Sequence, residues 1–150
     1  MVRLNGRDDG GGYKAEEGVI TATTNLDLNG DLLVEAGTLV APPSIRIAGT
    51  WDNFEGTTGF TEGTGYVSFD GSEDQYCSGE TFNSLELSKA SGSLIFDNAP
   101  VTTNLYNWAS GAFIVNGASV IFNDLFDDGI YGTITVNSGL LELHQGVTSV

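Results

Sequence analysis

The sequence predicts an all-β protein, a right-handed parallel β-helix of about five coils. Three observations carry that expectation. Helix signals are nearly absent, because no window of a dozen residues keeps apolar positions at i, i+3, i+4 and i+7 without a Gly, Pro or Asn-Gly break. Short alternating apolar segments fill the chain instead. A glycine followed by an apolar strand then recurs along it, which is the mark of an internal repeat.

The strands read in order as "NLDL" (25–28), "SIRIAG" (44–49), "YVSF" (66–69), "SLEL" (84–87) and "TITV" (133–136). Turn signals separate them: Asn29-Gly30, Pro42-Pro43, Asp70-Gly71, Asn98-Ala99-Pro100, Asn116-Gly117 and Asp128-Gly129. The glycine-strand segments are "AGTLVA" (36–41), "TGYVSF" (64–69), "SGSLIF" (91–96), "NGASVIF" (116–122) and "SGLLEL" (138–143). Aligned on Gly37, Gly65, Gly92, Gly117 and Gly139, they differ by 28, 27, 25 and 22 residues, a degenerate period of 22–28. A second element recurs as "TTNLDL" (23–28), "TFNSLEL" (81–87) and "TTNLYNW" (102–108), with its two TTNL copies read as three repeat lengths apart. One coil cannot bury its inward side chains, whereas stacked coils can. The alignment turns Leu39, Val67, Leu94, Val120 and Leu141 inward, and a one-residue slip would turn them outward. The competing all-β architecture is a β-sandwich or jelly roll, which predicts short strands without an internal repeat.

The chain's 150 residues suit one domain, divided into a polar, Gly-rich arm or cap over 1–17 and a solenoid over 18–150. With 5 basic and 20 acidic residues, the net charge of −15 argues against nucleic-acid partners and anionic membranes. No apolar run is long enough for a membrane-spanning helix. The N-terminal "MVRLNGRDDGGGYKAEEG" lacks the apolar stretch of a signal peptide. The single Cys77 excludes an internal disulfide and, beside a single His144, offers neither a nucleophile pair nor a common zinc site.

Candidate chemistry is sparse. Neighbouring acids such as Glu73-Asp74 and Asp127-Asp128 point to opposite faces of a strand, so sequence adjacency does not make an acid–base pair. No cofactor is expected, since solvated turn acids are the default reading; calcium is the alternative, because "DGSED" (70–74) and "NDLFDDG" (123–129) each offer several oxygens from one turn. Asp70, Glu73, Asp74, Asp124, Asp127 and Asp128 are the candidate ligands, although neither loop has EF-hand spacing. For a glycan ligand, Trp51, Tyr66 and Trp108 are the aromatic candidates, set against the alternative that aromatics form internal columns. Thr-x-Thr occurs at 21–23 and 133–135 but not in successive coils, which disfavours an ice-binding ladder.

The run from Ser44 to Phe96 carries a family resemblance. It reads as an apolar strand, "GTW", an acidic or Asn-containing strand, "GTGYVSF", "DGS", a Gln-containing strand, "FNSL" and "SG". This resembles the parallel β-helix repeat regions of large secreted bacterial surface or adhesin-like proteins, over roughly 20–145. The resemblance implies a secreted or cell-surface location and a structural role. It departs from the pattern at the irregular "NDLFDDGIYG" (123–132) and in lacking a sorting domain. The functional expectation is therefore a non-enzymatic spacer or a module that self-associates end to end or abuts neighbouring solenoid repeats. A carbohydrate-binding module is the alternative, and a polysaccharide lyase or hydrolase stands behind both.

Overall fold

A computed structural model describes residues 4–6, 13–15, 18–125 and 132–144, with side chains at 18–104, 110–124 and 132–144. It is a parallel β-solenoid of about six turns. The short strands are β1 (Leu4–Gly6), β2 (Tyr13–Ala15), β3 (Val19–Thr21), β4 (Leu26–Leu28), β5 (Leu32–Val34), β6 (Thr38–Val40), β7 (Ser44–Ile47), β8 (Trp51–Asn53), β9 (Phe60–Thr61), β10 (Tyr66–Phe69) and β11 (Gln75–Ser78). Three long strands follow: β12 (Glu80–Asp97), β13 (Val101–Leu125) and β14 (Gly132–Leu143). Strands β1 and β2 pair antiparallel, and the other described pairings are parallel. Parallel pairing of successive strands is incompatible with a sandwich of hairpins. Strand β2 pairs in register with β5, so residues of the expected N-terminal arm already join the sheet.

Each coil has three faces. The first stacks β2, β5, β8, β11 and then residues 93–96, 112–115 and 133–136 of the long strands. The second stacks β4, β7, β10 and then 85–87 and 105–108. The third opens with β3, β6 and β9. It continues in the first residues of β12 and β13, then in 119–122 and 140–143, where Val120 pairs with Leu141.

The coil is shorter than the glycine alignment predicts. Leu32 pairs with Trp51, Cys77 with Phe96 and Phe96 with Val115, and these three steps along the chain are equal. On the second face the step from Phe69 to Leu87 is slightly shorter, and that from Ile47 to Phe69 is longer. The longest of these steps takes Trp51 to Cys77, because that coil carries the 54–59 turn and the 70–74 loop. The period of 22–28 reflects five aligned glycines that sit at different corners. Gly37, Gly117 and Gly139 precede third-face strands, Gly65 precedes the second face and Gly92 the first.

The repeat is written in backbone conformation at the corner after the first face. Positive φ recurs there at Gly18, Gly37, Gly56, Gly79, Asn98, Gly117 and Gly139, with a constant step that lengthens only after Gly56 and after Gly117. The TTNL element does keep register. Leu26, Ile45, Val67, Leu85 and Leu105 pair in succession, so its two copies lie four coils apart, not three.

Inward side chains form continuous columns. Leu32, Trp51, Cys77, Phe96 and Val115 are all buried in one of them. A second runs Ile45, Val67 and Leu85, and a third begins Ile20, Leu39 and Phe60. The inward assignment holds for Leu39, Val67, Leu94 and Val120, while Leu141 is partly buried against the core. Among the described residues, two aromatic groups fill the interior. Trp51 meets Phe60 and Phe82 edge to face at 4.9 and 5.0 Å, and Phe96 stacks on Phe113 at 5.7 Å. Such pairs add about 0.5–1.5 kcal/mol beyond the area they bury.

Candidate functional site

The solenoid places polar side chains at its corners, from exposed Asp31 and Asp74 to buried Gln75 and Lys89, and their bonds run from coil to coil. At the corner leading into the first face, Asp31 Oδ1 accepts the Thr50 N–H at 2.7 Å, 19 residues on. Asp74 Oδ1 repeats the device with the Ser93 N–H at 2.8 Å, again 19 residues on. A carboxylate there takes over a backbone donor that the bend removes from the sheet ladder. At the corner into the second face, Asn83 Nδ2 donates to the Gly65 carbonyl and Asn104 Nδ2 to the Asn83 carbonyl, both at 2.9 Å. These are the asparagines of the recurring TFN and TTN triplets.

The 70–74 loop is organised by a cation from the chain itself. Lys89 is 1% exposed, and its Nζ donates to Gly71 O at 2.6 Å, Glu73 O at 2.8 Å and Gln75 Oε1 at 2.6 Å. Gln75 Oε1 also accepts the Gly71 N–H, and its Nε2 donates back to Ile47 O and Gly49 O. Desolvation lowers the Lys89 pKa below the usual lysine value, while Asp74, Asp70 and Glu73 act to raise it. With all three N–H groups engaged, the ammonium serves as a fixed positive centre inside the loop.

Two of the acids expected as calcium ligands have partners within the protein. Asp70 is ion-paired to Arg46 at 2.8 Å, Asp74 bonds to the Ser93 N–H, and the carbonyls of Gly71 and Glu73 face Lys89. Asp124 lies near the end of β13, and Asp127 and Asp128 fall outside the described residues. Among the described residues, no group of three or more His, Cys, Asp and Glu side chains is placed to hold a metal.

The aromatic candidates separate in the same way. Trp51 is 0% exposed and packed edge to face between Phe60 and Phe82, so its ring faces are closed to a sugar. Burial of its large apolar ring outweighs any surface role. Tyr66 is half-buried at a shallow notch with Pro42, Glu62 and Asn83, which holds about 10 Å³, little more than one water. Trp108 pairs through its backbone with Leu87, and its side chain lies outside the described set. Among the described residues, the exposed aromatics are Phe54 and Tyr76, at 72% and 45%.

A second buried cluster escaped the sequence reading. Glu80, 2% exposed, accepts Asn53 Nδ2 at 2.6 Å and its neighbour Thr81 N–H at 2.8 Å. Asn53 Nδ2 also donates to Gly56 O at 2.7 Å, while its Oδ1 accepts the Glu55 N–H. Burial raises the Glu80 pKa to about 7, against the lowering effect of the Asn53, Thr81 and Trp51 donors. The indole Nε1 of Trp51 exerts that pull across the cluster yet makes no hydrogen bond of proper geometry. Cys77 is buried nearby, its thiol pKa raised first by desolvation and then by Glu80 and Asp52. Nothing in the run "SGETFN" marks Glu80 as buried, because a Glu between Gly and Thr reads as a solvated turn acid.

Comparison with known proteins returned no matching family model, no matching curated protein and no matching solved structure. Among the described residues, no helix is long and apolar enough to cross a membrane.

Proposed function

We propose that this chain is an extracellular structural module, an adhesin-like β-solenoid of a bacterial surface that acts as a spacer or stacks end to end. The observation that carries the reading is the direction of the polar side-chain bonds at the corners. Asp31, Asp74, Gln75, Lys89, Asn83 and Asn104 all bind groups 14 to 28 residues away, tying coil to coil. Polar groups used in this way stiffen the stack and are not gathered round a substrate. The resemblance of residues 44–96 to secreted surface repeats supports the location. The excess of acidic residues supports solubility of a sheet-rich rod.

Negative-stain electron microscopy of the tag-free protein, with light-scattering mass in calcium and in chelator, tests the stacking. Rods or filaments, with masses in multiples of 15.8 kDa, support it. Rods that form only in calcium would assign the ion to the acidic loops. A monodisperse 15.8 kDa particle in both conditions removes self-stacking and leaves the spacer role.

Glycan binding is a second reading, favoured by one observation: Phe54 and Tyr76 are aromatic and exposed. It requires saturable binding on a glycan array that Phe54→Ala or Tyr76→Ala abolishes without loss of fold. Trp51 is not expected to contribute directly to binding.

A further inference from the structure

We propose that the buried Glu80 carboxyl is a pH-dependent latch that holds the 54–59 turn, and the exposed Phe54 it carries, against β12. Asn53 is the bridge: one Nδ2 group donates both to Gly56 O in the turn and to Glu80 Oε2 in β12, at 2.7 and 2.6 Å. Its Oδ1 fixes the start of the same turn through the Glu55 N–H at 3.1 Å. The turn packs so closely on this residue that a Cβ at Gly59 would overlap the Asn53 carboxamide. Beyond these bonds, the 3-10 segment Gly56–Thr58 buries no residue, and Phe54 is 72% exposed. Little apolar packing therefore holds the turn. The Phe54 N–H donates to Val34 O at 2.9 Å, Thr38 Oγ1 to Thr58 O and the Leu39 N–H to Gly59 O at 2.8 Å, which tie it to the preceding coil, while the Asn53–Glu80 contact ties it to β12.

A carboxyl at this place is sensitive to its own charge. It is 2% exposed, and the ionisable groups acting across the cluster are Glu62 after β9, Cys77 in β11 and, on Cys77, Asp52 in β8. None of these is a cation. Neutral Glu80 sits in the core at modest cost, whereas the carboxylate gains by reaching water. The exposed turn is the adjacent element that can move to admit water. Opening solvates the carboxylate, frees Asn53 from Glu80 and releases the turn from β12, leaving its bonds to the preceding coil. Low pH holds Phe54 in place, and rising pH loosens it.

Amide exchange of residues 54–59, corrected for the intrinsic pH dependence of exchange, tests this on the full chain. The opening equilibrium is expected to rise by roughly ten-fold per pH unit between about 5 and 7 and then to level off. Glu80→Gln, which keeps the shape without the charge, should abolish that dependence. In parallel, 13C NMR of the wild-type Glu80 carboxyl should titrate near neutrality, together with the indole resonance of Trp51 and the Gly56 and Gly59 amides. This readout does not depend on any variant folding. A carboxyl midpoint in the ordinary glutamate range overturns the proposal. So does a Glu80 titration that leaves the 54–59 amides unmoved.

Discussion

Lys89 Nζ lies 2.6 Å from Gln75 Oε1, and together the two side chains join main-chain carbonyls from β7, the 48–50 turn and the 70–74 loop. An ammonium that closes a loop in this way takes the place that a bound cation fills in other loops. Removing it leaves Gly71 O, Glu73 O and Gln75 Oε1 in a buried site short of a donor. Lys89→Met is therefore expected to lower the unfolding free energy by about 2–4 kcal/mol, since bonds to a charged donor are worth more than neutral ones and orphaned acceptors cost desolvation. Urea denaturation measures it. A loss below about 0.5 kcal/mol would mean that water or a solute cation replaces the ammonium at no cost.

Glu80 gives the protein a stability profile opposite to that of most carboxylates. Its folded pKa, about 7, is above the ordinary glutamate value of 4.5, so between these values the folded state binds more protons than the unfolded one. Its contribution is fully present below the unfolded pKa and is lost as pH rises through the folded pKa. The Glu80-dependent loss between about pH 4.5 and 7.5 is on the order of 3 kcal/mol at most. Urea titrations of wild type and Glu80→Gln across that window should diverge, with the variant the flatter of the two.

Trp51 and Phe54 lie close together in the chain and should behave as opposites. Trp51→Ala empties the centre of an aromatic cluster and is expected to cost about 3–5 kcal/mol. Phe54→Ala, on an exposed side chain, should stay within about 0.5 kcal/mol. Thermal or urea denaturation of the two variants decides it. Equal effects would show that the core is not centred on Trp51.

Gly92 and Gly56 share a positive φ but differ in surroundings. A Cβ on Gly92 would come within 2.5 Å of the Glu73 carbonyl group, whereas one on Gly56 meets nothing within 4 Å. Gly92→Ala is expected to cost about 2–3 kcal/mol from the left-handed conformation and the overlap combined. Gly56→Asn should cost less than about 1 kcal/mol, since Asn tolerates that conformation. Denaturation midpoints of the pair check the corner geometry.

The β-solenoid was legible because stacked coils demand apolar alternation and turn residues at every corner, and both survive in strings such as "SIRIAG" and "SGSLIF". The true step was not legible from glycines alone. Gly65 and Gly92 are required by close backbone approach at their own corners, while Asn98 takes the left-handed position where the other coils use Gly. The asparagine corner was visible as a repeat, but its hydrogen bonds were not. Trp51 reads as a platform candidate because an aromatic in an alternating strand faces either way until the register is known. Lys89 and Glu80 were invisible as buried groups, since burial of a charge follows from neighbouring coils and leaves no local pattern.

The most direct test of the account is whether residues one coil apart are neighbours across parallel strands. Val19 pairs with Thr38 and Thr81 with Thr102, on coils about 4.8 Å apart, within reach of a disulfide. In a Cys77→Ala background, the pairs Val19→Cys with Thr38→Cys and Thr81→Cys with Thr102→Cys should both oxidise to intramolecular disulfides, read by intact mass and peptide mapping. The offset pair Val19→Cys with Val40→Cys should remain reduced under the same conditions. Efficient closure of the offset pair, or failure of both in-register pairs, would contradict the stacked-coil register on which the functional proposal rests.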